Sequence, residues 1–358
     1  MAAAHQQTEI ESMDQWHDHV ASKRSFRGWH IHGLDLRGVD LAAIELVGSV
    51  FLGCRFDSGV ESDIRRRGGL VFPRIPDVPF NPYRPNLYTA DELYDGLTGG
   101  YSDTPDGRIW AWSQQLNTLD HTLAAALHDH AVDDALAEYA RARRFVGVMG
   151  GHAVRRGTSD YLQAARLGHQ LAQHWDVATG GGPGAMEAAN LGAWLAQHPL
   201  DTVEVACQRL AQVPQFTPDA TAWASLALEV KASFEPGTAS LGVPTWHYGH
   251  EPPNAFATDI AKYFANSIRE HVLLDLCDEG VIFLPGSAGT VQEIFQAGCE
   301  KFYDRTTVSP MVLVGYEHWT DTCPAWPLLR ALFAERSDLV HLVDSIDDAV
   351  AVLRGRGS

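Results

Sequence analysis

From residue 145 onward the chain alternates short apolar runs with stretches of helical spacing, and this alternation narrows the choice of fold more than anything else in the sequence. The runs are FVGVMG (145 to 150), DVATG (176 to 180), ASLGVPTW (239 to 246), GVIFLPG (280 to 286), PMVLVG (310 to 315) and LVHLV (339 to 343). Strands separated by helices pair in parallel through crossovers, which predicts a doubly wound α/β domain with a Rossmann-like parallel sheet. A helical insertion at 201 to 232 separates the second strand from the third, and SIDDAVAVLR closes the chain as a helix. In such a sheet a ligand is expected beyond the carboxyl ends of the strands.

The residues before 144 follow other rules. GLDLRGVDLAAIELVGSVFLGCRF repeats every five residues: Leu36, Leu41, Leu46, Phe51 and Phe56 share one column, and Leu34, Val39, Ile44, Ser49 and Cys54 another. Neither a helix nor a flat strand has that period. The stretch resembles the pentapeptide-repeat family, which implies about one coil of β-helix, an N-terminal extension that caps or lengthens the main domain. Residues 60 to 100, rich in Pro, Gly and Tyr, read as an extended connector, and 108 to 143 as helical. The expected organisation is therefore 1–60 with the repeat, 61–143 as connector and helices, and 144–358 as the nucleotide-binding domain.

Composition excludes several function classes. With 27 basic against 45 acidic residues the formal charge is −18, the wrong sign for a nucleic-acid backbone binder. Five cysteines without a C-x-x-C pair suggest neither disulfides nor a zinc ribbon. The N-terminus has no secretory pattern, and no apolar run reaches the roughly 18 residues needed to span a bilayer, so a cytoplasmic protein with no membrane partner is expected.

Three strands end in small residues and run into helices, at VMGGHAVRRG (148), ATGGGPGAMEAAN (178) and LPGSAGTVQE (284). Such turns let a ligand approach the backbone, where helix N-terminal amides favour an anion, so Gly150, Gly151 and the two later turns are expected to form a phosphate cradle. A dinucleotide fingerprint fits poorly because Gly180-x-Gly182-x-x-Ala185 follows the second strand, and a P-loop is excluded by the missing Gly-Lys-Ser/Thr.

GGGPGAMEAAN followed by PGSAGTVQE resembles the Lonely Guy phosphoribohydrolases and their longer bacterial relatives, the nucleotide 5′-monophosphate nucleosidases, over residues 144 to 358. The resemblance implies hydrolysis of the N-glycosidic bond of a nucleoside 5′-monophosphate, without a cofactor, in a homodimer or larger assembly. It implies that Gly286, Ser287, Ala288, Gly289 and Thr290 hold the phosphate and that Gly181, Gly182 and Gly184 line the nucleotide. Arg269 and Glu293 match the family's catalytic pair. Ser287 stands in place of a second glycine, compatible with the turn if its φ is negative, and Glu270 stands where a lysine often follows the arginine.

The residue types suit that chemistry independently. Breaking an N-glycosidic bond builds positive charge on the sugar, which a carboxylate such as Glu293 stabilises, and an arginine such as Arg269 offers a planar fork to phosphate or carboxylate. Thr290-Val291-Gln292-Glu293 is equally a capping box, and Lys262, Asn266 and Arg269 at i, i+4 and i+7 equally a solvated helix face. Met186 and Glu187 open the helix after the glycine turn, with Glu187 able to complement its N-terminus or reach the ribose. The segment 246 to 258 suits a rim loop, with His247, Glu251 and Asn254 as candidates for base recognition.

No metal is expected. HDH occurs at 17 to 19 and 128 to 130 and HIH at 30 to 32, but residues two apart on a helix face different ways. None of Lys23, Lys231, Lys262 and Lys301 has a Schiff-base setting. The rival to an enzyme is a non-catalytic nucleotide sensor that keeps the cradle and signals through its N-terminal part.

Overall fold

The computed structural model describes residues 8–21, 25–115, 118–247, 251–304 and 309–355; Lys23 and residues 248–250 of the rim segment lie outside them. They form two compact units. One runs to Asn86 and takes in the long helix Leu119–Ala140 as far as Ala135, and the other comprises Leu87–Gln115 and the chain from Leu136 onward.

The first unit is a parallel β-solenoid. Strands β1 (Thr8–Ile10), β2 (Trp29–His32), β3 (Val50–Leu52) and β4 (Leu70–Phe72) pair in that order, with His30 opposite Val50 and Val50 opposite Leu70. The register thus advances from 30 to 50 to 70, so each coil takes four of the five-residue units. Gly28, Gly48 and Gly68 occupy the same corner of successive coils at φ of 76°, 76° and 87°, a region that a side chain disfavours. Both columns of the repeat turn inward: Leu34, Leu36, Leu41, Ile44, Leu46, Ser49, Phe51 and Cys54 are buried, and Val39 and Phe56 pack beside them. The solenoid continues past the expected boundary at residue 60, because helix Val60–Arg66 and β4 complete a further coil inside the segment read as connector. Helix Met13–Val20, closed by a Ser12–Gln15 capping box, adds Trp16 to this core against Phe26, with ring centroids 5.2 Å apart.

One inference from the sequence fails here for a geometric reason. The argument against paired histidines assumed a helix, but 29–32 is a strand, so His30 and His32 leave the same face while Trp29 and Ile31 enter the core.

The second unit is a doubly wound α/β domain. Its strands are β5 (Phe145–Met149), β6 (Asp176–Thr179), β7 (Ser240–Gly242), β8 (Asp259–Ile260), β9 (Gly280–Phe283), β10 (Met311–Val314) and β11 (Val340–Val343). They pair in parallel in the order β11-β10-β9-β5-β6-β7-β8. All six expected strands are present, and the two-residue β8 joins directly after the rim segment. The five residues of β5 are all buried, as a central strand covered on both faces requires. Chain order reverses between β5 and β9, and this switch point opens a crevice at the carboxyl ends of the strands. The insertion consists of helices Leu200–Leu210 and Ala220–Ala232, and the expected helical stretch before 143 divides into Pro105–Ser113 and Leu119–Ala140.

Among the described residues no helix is long and apolar enough to cross a membrane. The five cysteines are all free, with Cys54, Cys207 and Cys277 buried.

Candidate active site

Helix Ala288–Tyr303 begins directly beyond β9, with Ser287 as its N-cap at φ −123°, so serine replaces glycine here without strain. No side chain caps the helix. Thr290 therefore lies inside the first turn, and the capping-box alternative for Thr290 and Glu293 does not form. Gly286 is required for this arrangement, because a Cβ there would lie 2.2 Å from the Thr290 hydroxyl oxygen. His318 secures the loop from a neighbouring connection. Its Nε2 lies 3.3 Å from the Gly286 amide and 2.9 Å from the Gly286 carbonyl, accepting from one or donating to the other according to tautomer.

A cavity of about 330 Å³ opens at the switch point, large enough for a small-molecule ligand. Ser287, Ala288, Gly289 and Thr290 line one end, and Arg269, Glu270 and Glu293 line the acidic part. Gly150, Gly151, His152, Gly180, Gly182 and Met186 form the wall from β5 and β6, with Pro244, Thr245 and Glu251 on the rim. Of the residues expected from the sequence, Gly181, Gly184, Gly286, Glu187, His247 and Asn254 do not line it.

Most of these have evident structural work. Gly181, at φ +69°, would place a Cβ 2.6 Å from Pro244, and Gly184, at φ +75°, would place one 2.5 Å from the Gly151 carbonyl oxygen, so both permit backbone segments to touch behind the wall. Glu187 is fully buried and gripped by both arms of Arg156, whose guanidinium also stacks on Trp223. That pairing replaces the expected reach toward a helix end or ribose. Asn254 is likewise buried: its amide nitrogen lies 3.3 Å from the Gly182 carbonyl, and its side-chain oxygen accepts from Phe256 and Ala257 at 3.1 Å each. It ties the rim segment to the glycine turn.

The expected stripe of Lys262, Asn266 and Arg269 does not exist, because the helix runs from Asn266 to Leu276. Lys262 precedes it, wholly buried, with its ammonium 2.7 Å from Asp106. Asp106 also accepts from Trp246 Nε1 at 2.9 Å and from the Tyr101 hydroxyl. Trp246 in this knot directly follows Thr245 of the rim. Lys231 donates to the Ala255 carbonyl at 2.8 Å and Lys301 to the Ser309 hydroxyl, so the described lysines are all engaged by protein groups.

The chemistry concentrates around Arg269. Its Nη1 lies 3.2 Å from Glu270 Oε2 and 3.5 Å from Glu293 Oε1, and its Nε is buried with no hydrogen-bond partner among the described residues. One guanidinium thus serves two carboxylates shielded from water. Burial, and then the charge of Glu270, push Glu293 up to about 8 against the pull of Arg269. Burial also raises Glu270, again opposed by Arg269. Near neutrality the pair therefore keeps a proton, giving an acid and a conjugate base side by side. Glu270, read from the sequence only as a departure from a family pattern, proves to be half of this pair. Gly180, His152, Pro244, Thr245 and Gln292 were also missed, and the only sequence signal for them was adjacency to the turns already identified.

Gly289 separates fold from binding. A Cβ at Gly289 meets nothing within 4 Å, so Gly289→Ala should leave stability unchanged or higher by about 0.5–1 kcal/mol through helix propensity. The added methyl stands at the mouth of the cavity. If the helix start holds an anion, affinity for inorganic phosphate, read by calorimetry, should fall on the order of tenfold, equivalent to about 1.4 kcal/mol.

No family model matches the sequence, and no curated protein matches it. Among solved structures the chain is similar to the molybdenum cofactor binding protein of the phototrophic bacterium Rippkaea orientalis, with TM-score 0.39 and 17% identity over 61% of this chain and 99% of that one. It is also similar to the molybdenum cofactor carrier protein of Chlamydomonas reinhardtii, with TM-score 0.36 and 20% identity over 60% of this chain and 97% of that one. The likeness is one of α/β fold.

Proposed function

We propose that the protein hydrolyses the N-glycosidic bond of a nucleoside 5′-monophosphate, releasing the free base and ribose 5-phosphate, as its resemblance to the Lonely Guy phosphoribohydrolases implies. The observation that carries this reading is that the uncapped helix start at 287–290 and the Arg269, Glu270 and Glu293 cluster line one cavity. Amides and helix dipole at Ser287–Thr290 hold the 5′-phosphate. The sugar then lies toward the acids. Glu293, carrying its proton, passes it to the departing base nitrogen, while the Glu270 carboxylate, oriented by Arg269, offsets positive charge growing on the ribose and orients the attacking water. Water adds at the anomeric carbon and yields a proton to the Glu270 carboxylate, the base leaves with the proton from Glu293, the pair thus keeps one proton in total, and no cofactor takes part. We place the enzyme in the cytoplasm, as a homodimer or larger assembly.

A panel of AMP, GMP, CMP, UMP and isopentenyladenosine monophosphate, followed by chromatography of released base, tests the proposal. Base release from at least one supports it; nucleotide binding with no release from any would make the protein a nucleotide sensor instead. The pH profile tests the role of Glu293. If its protonated form acts, kcat/KM declines as pH rises through about 8. A rate that climbs across that range would assign Glu293 to the carboxylate role.

A further inference from the structure

We propose that Glu9, His30 and His32, on the outer face of the β-solenoid, form a binding site for a divalent transition ion of the zinc class. The register sets Glu9 directly opposite His30 on the adjacent parallel strand, and the two-residue period of β2 brings His32 to the same face. One carboxylate thereby meets two imidazoles. Glu9 Oε1 lies 3.4 Å from His30 Nδ1, Glu9 Oε2 lies 2.6 Å from His32 Nε2, and all three ligand atoms lie within 4.8 Å of one another. Around a tetrahedral zinc with bonds of about 2.0–2.1 Å, neighbouring ligand atoms are about 3.3 Å apart, so the first spacing already fits and the second needs to open by several tenths of an ångström.

A second observation concerns the tautomer of His32. Its Nδ1 lies 3.4 Å from the Tyr83 carbonyl oxygen and its Nε2 lies 2.6 Å from a Glu9 carboxylate oxygen, so both ring nitrogens face acceptors. A doubly protonated ring satisfies both, and so does a neutral ring with its hydrogen on Nδ1 and a cation at Nε2. A carbonyl holding the far nitrogen of a histidine is also the usual support of a metal ligand. The side chains of Glu9, His30 and His32 are 22%, 24% and 9% exposed, which lets an ion enter while keeping most bulk water off the cluster. Two imidazoles and one carboxylate suit zinc and its neighbours rather than calcium or magnesium, and the fourth position falls to water. Since β1 is the edge strand of its sheet, the ion would clamp it to β2.

The test is calorimetric titration of the chelator-stripped full chain with Zn²⁺, beside Co²⁺ titration followed by visible absorption. The expected result is one saturable equivalent with the intense bands of four-coordinate cobalt, lost in Glu9→Gln and in His32→Gln and retained in His17→Gln, which lies outside the cluster. Circular dichroism establishes that each variant is folded, and Glu9→Gln, isosteric and partly exposed, stands in if His32→Gln is not. No saturable uptake by the parent chain, or uptake unchanged in the folded Glu9→Gln protein, would overturn the proposal and leave a histidine–carboxylate ion pair.

Discussion

Under the proposed hydrolysis, Glu293→Gln is expected to lower kcat for base release by about two to four orders of magnitude, the range spanned by a positioned proton-transfer group. Glutamine keeps the shape and can still donate a hydrogen bond, but it has no proton to give a leaving base. The same variant reports on stability. Glu293 is raised from 4.5 to about 8 in the folded protein, so the folded state binds its proton more tightly than the unfolded chain does. The stability associated with that proton is fully present below about 4.5 and is lost as pH rises through about 8. Denaturant unfolding at intervals across this window should show wild-type stability falling relative to Glu293→Gln. A constant difference would mean that Glu293 titrates normally and is not enclosed as described.

Asp106→Ala should be strongly destabilising, costing about 3–5 kcal/mol. The change strands the fully buried Lys262 ammonium and removes the acceptor of Trp246 Nε1 and the Tyr101 hydroxyl together. Burial already depresses Lys262, and Asp106 is the chief influence holding its charge. Asp106→Asn, which retains an acceptor but no charge, should lose less. Because Trp246 follows Thr245 on the cavity rim, KM should rise in both variants where they remain folded. Unfolding midpoints in denaturant measure the first effect; a loss below about 1 kcal/mol for Asp106→Ala would show that the buried pair is not a structural anchor.

The α/β domain was legible because its strands are buried on both faces, and a run such as Phe145–Met149 carries that fact in its composition alone. The turn at 284–290 was legible because glycine and other small residues between a buried strand and a helix mark a tight strand-to-helix connection. Burial of polar side chains was not legible. Glu187 follows the cavity residue Met186 on its helix and Asn254 shares the rim segment with Glu251, and only packing decides that one meets Arg156 and the other the glycine backbone. His318 reaches Gly286 because β10 lies beside β9, a neighbour relation that local periodicity does not contain. The solenoid was underestimated because its last coil replaces the leucine column with the polar helix Val60–Arg66. Glu270 was read only as standing where a lysine often follows the arginine, because adjacency in sequence does not reveal that the long Arg269 side chain lets one guanidinium nitrogen lie close to both Glu270 and Glu293.

In the proposed reaction a phosphate-anchored sugar is presented to the Glu270–Glu293 pair. Incubating the purified protein with AMP and, separately, with adenosine, and resolving the products by phosphorus NMR and chromatography, tests it most directly. The expected result is adenine and ribose 5-phosphate in equal amounts from AMP, with adenosine cleaved far more slowly. AMP recovered intact under conditions where it binds, or adenosine appearing with inorganic phosphate, would contradict it.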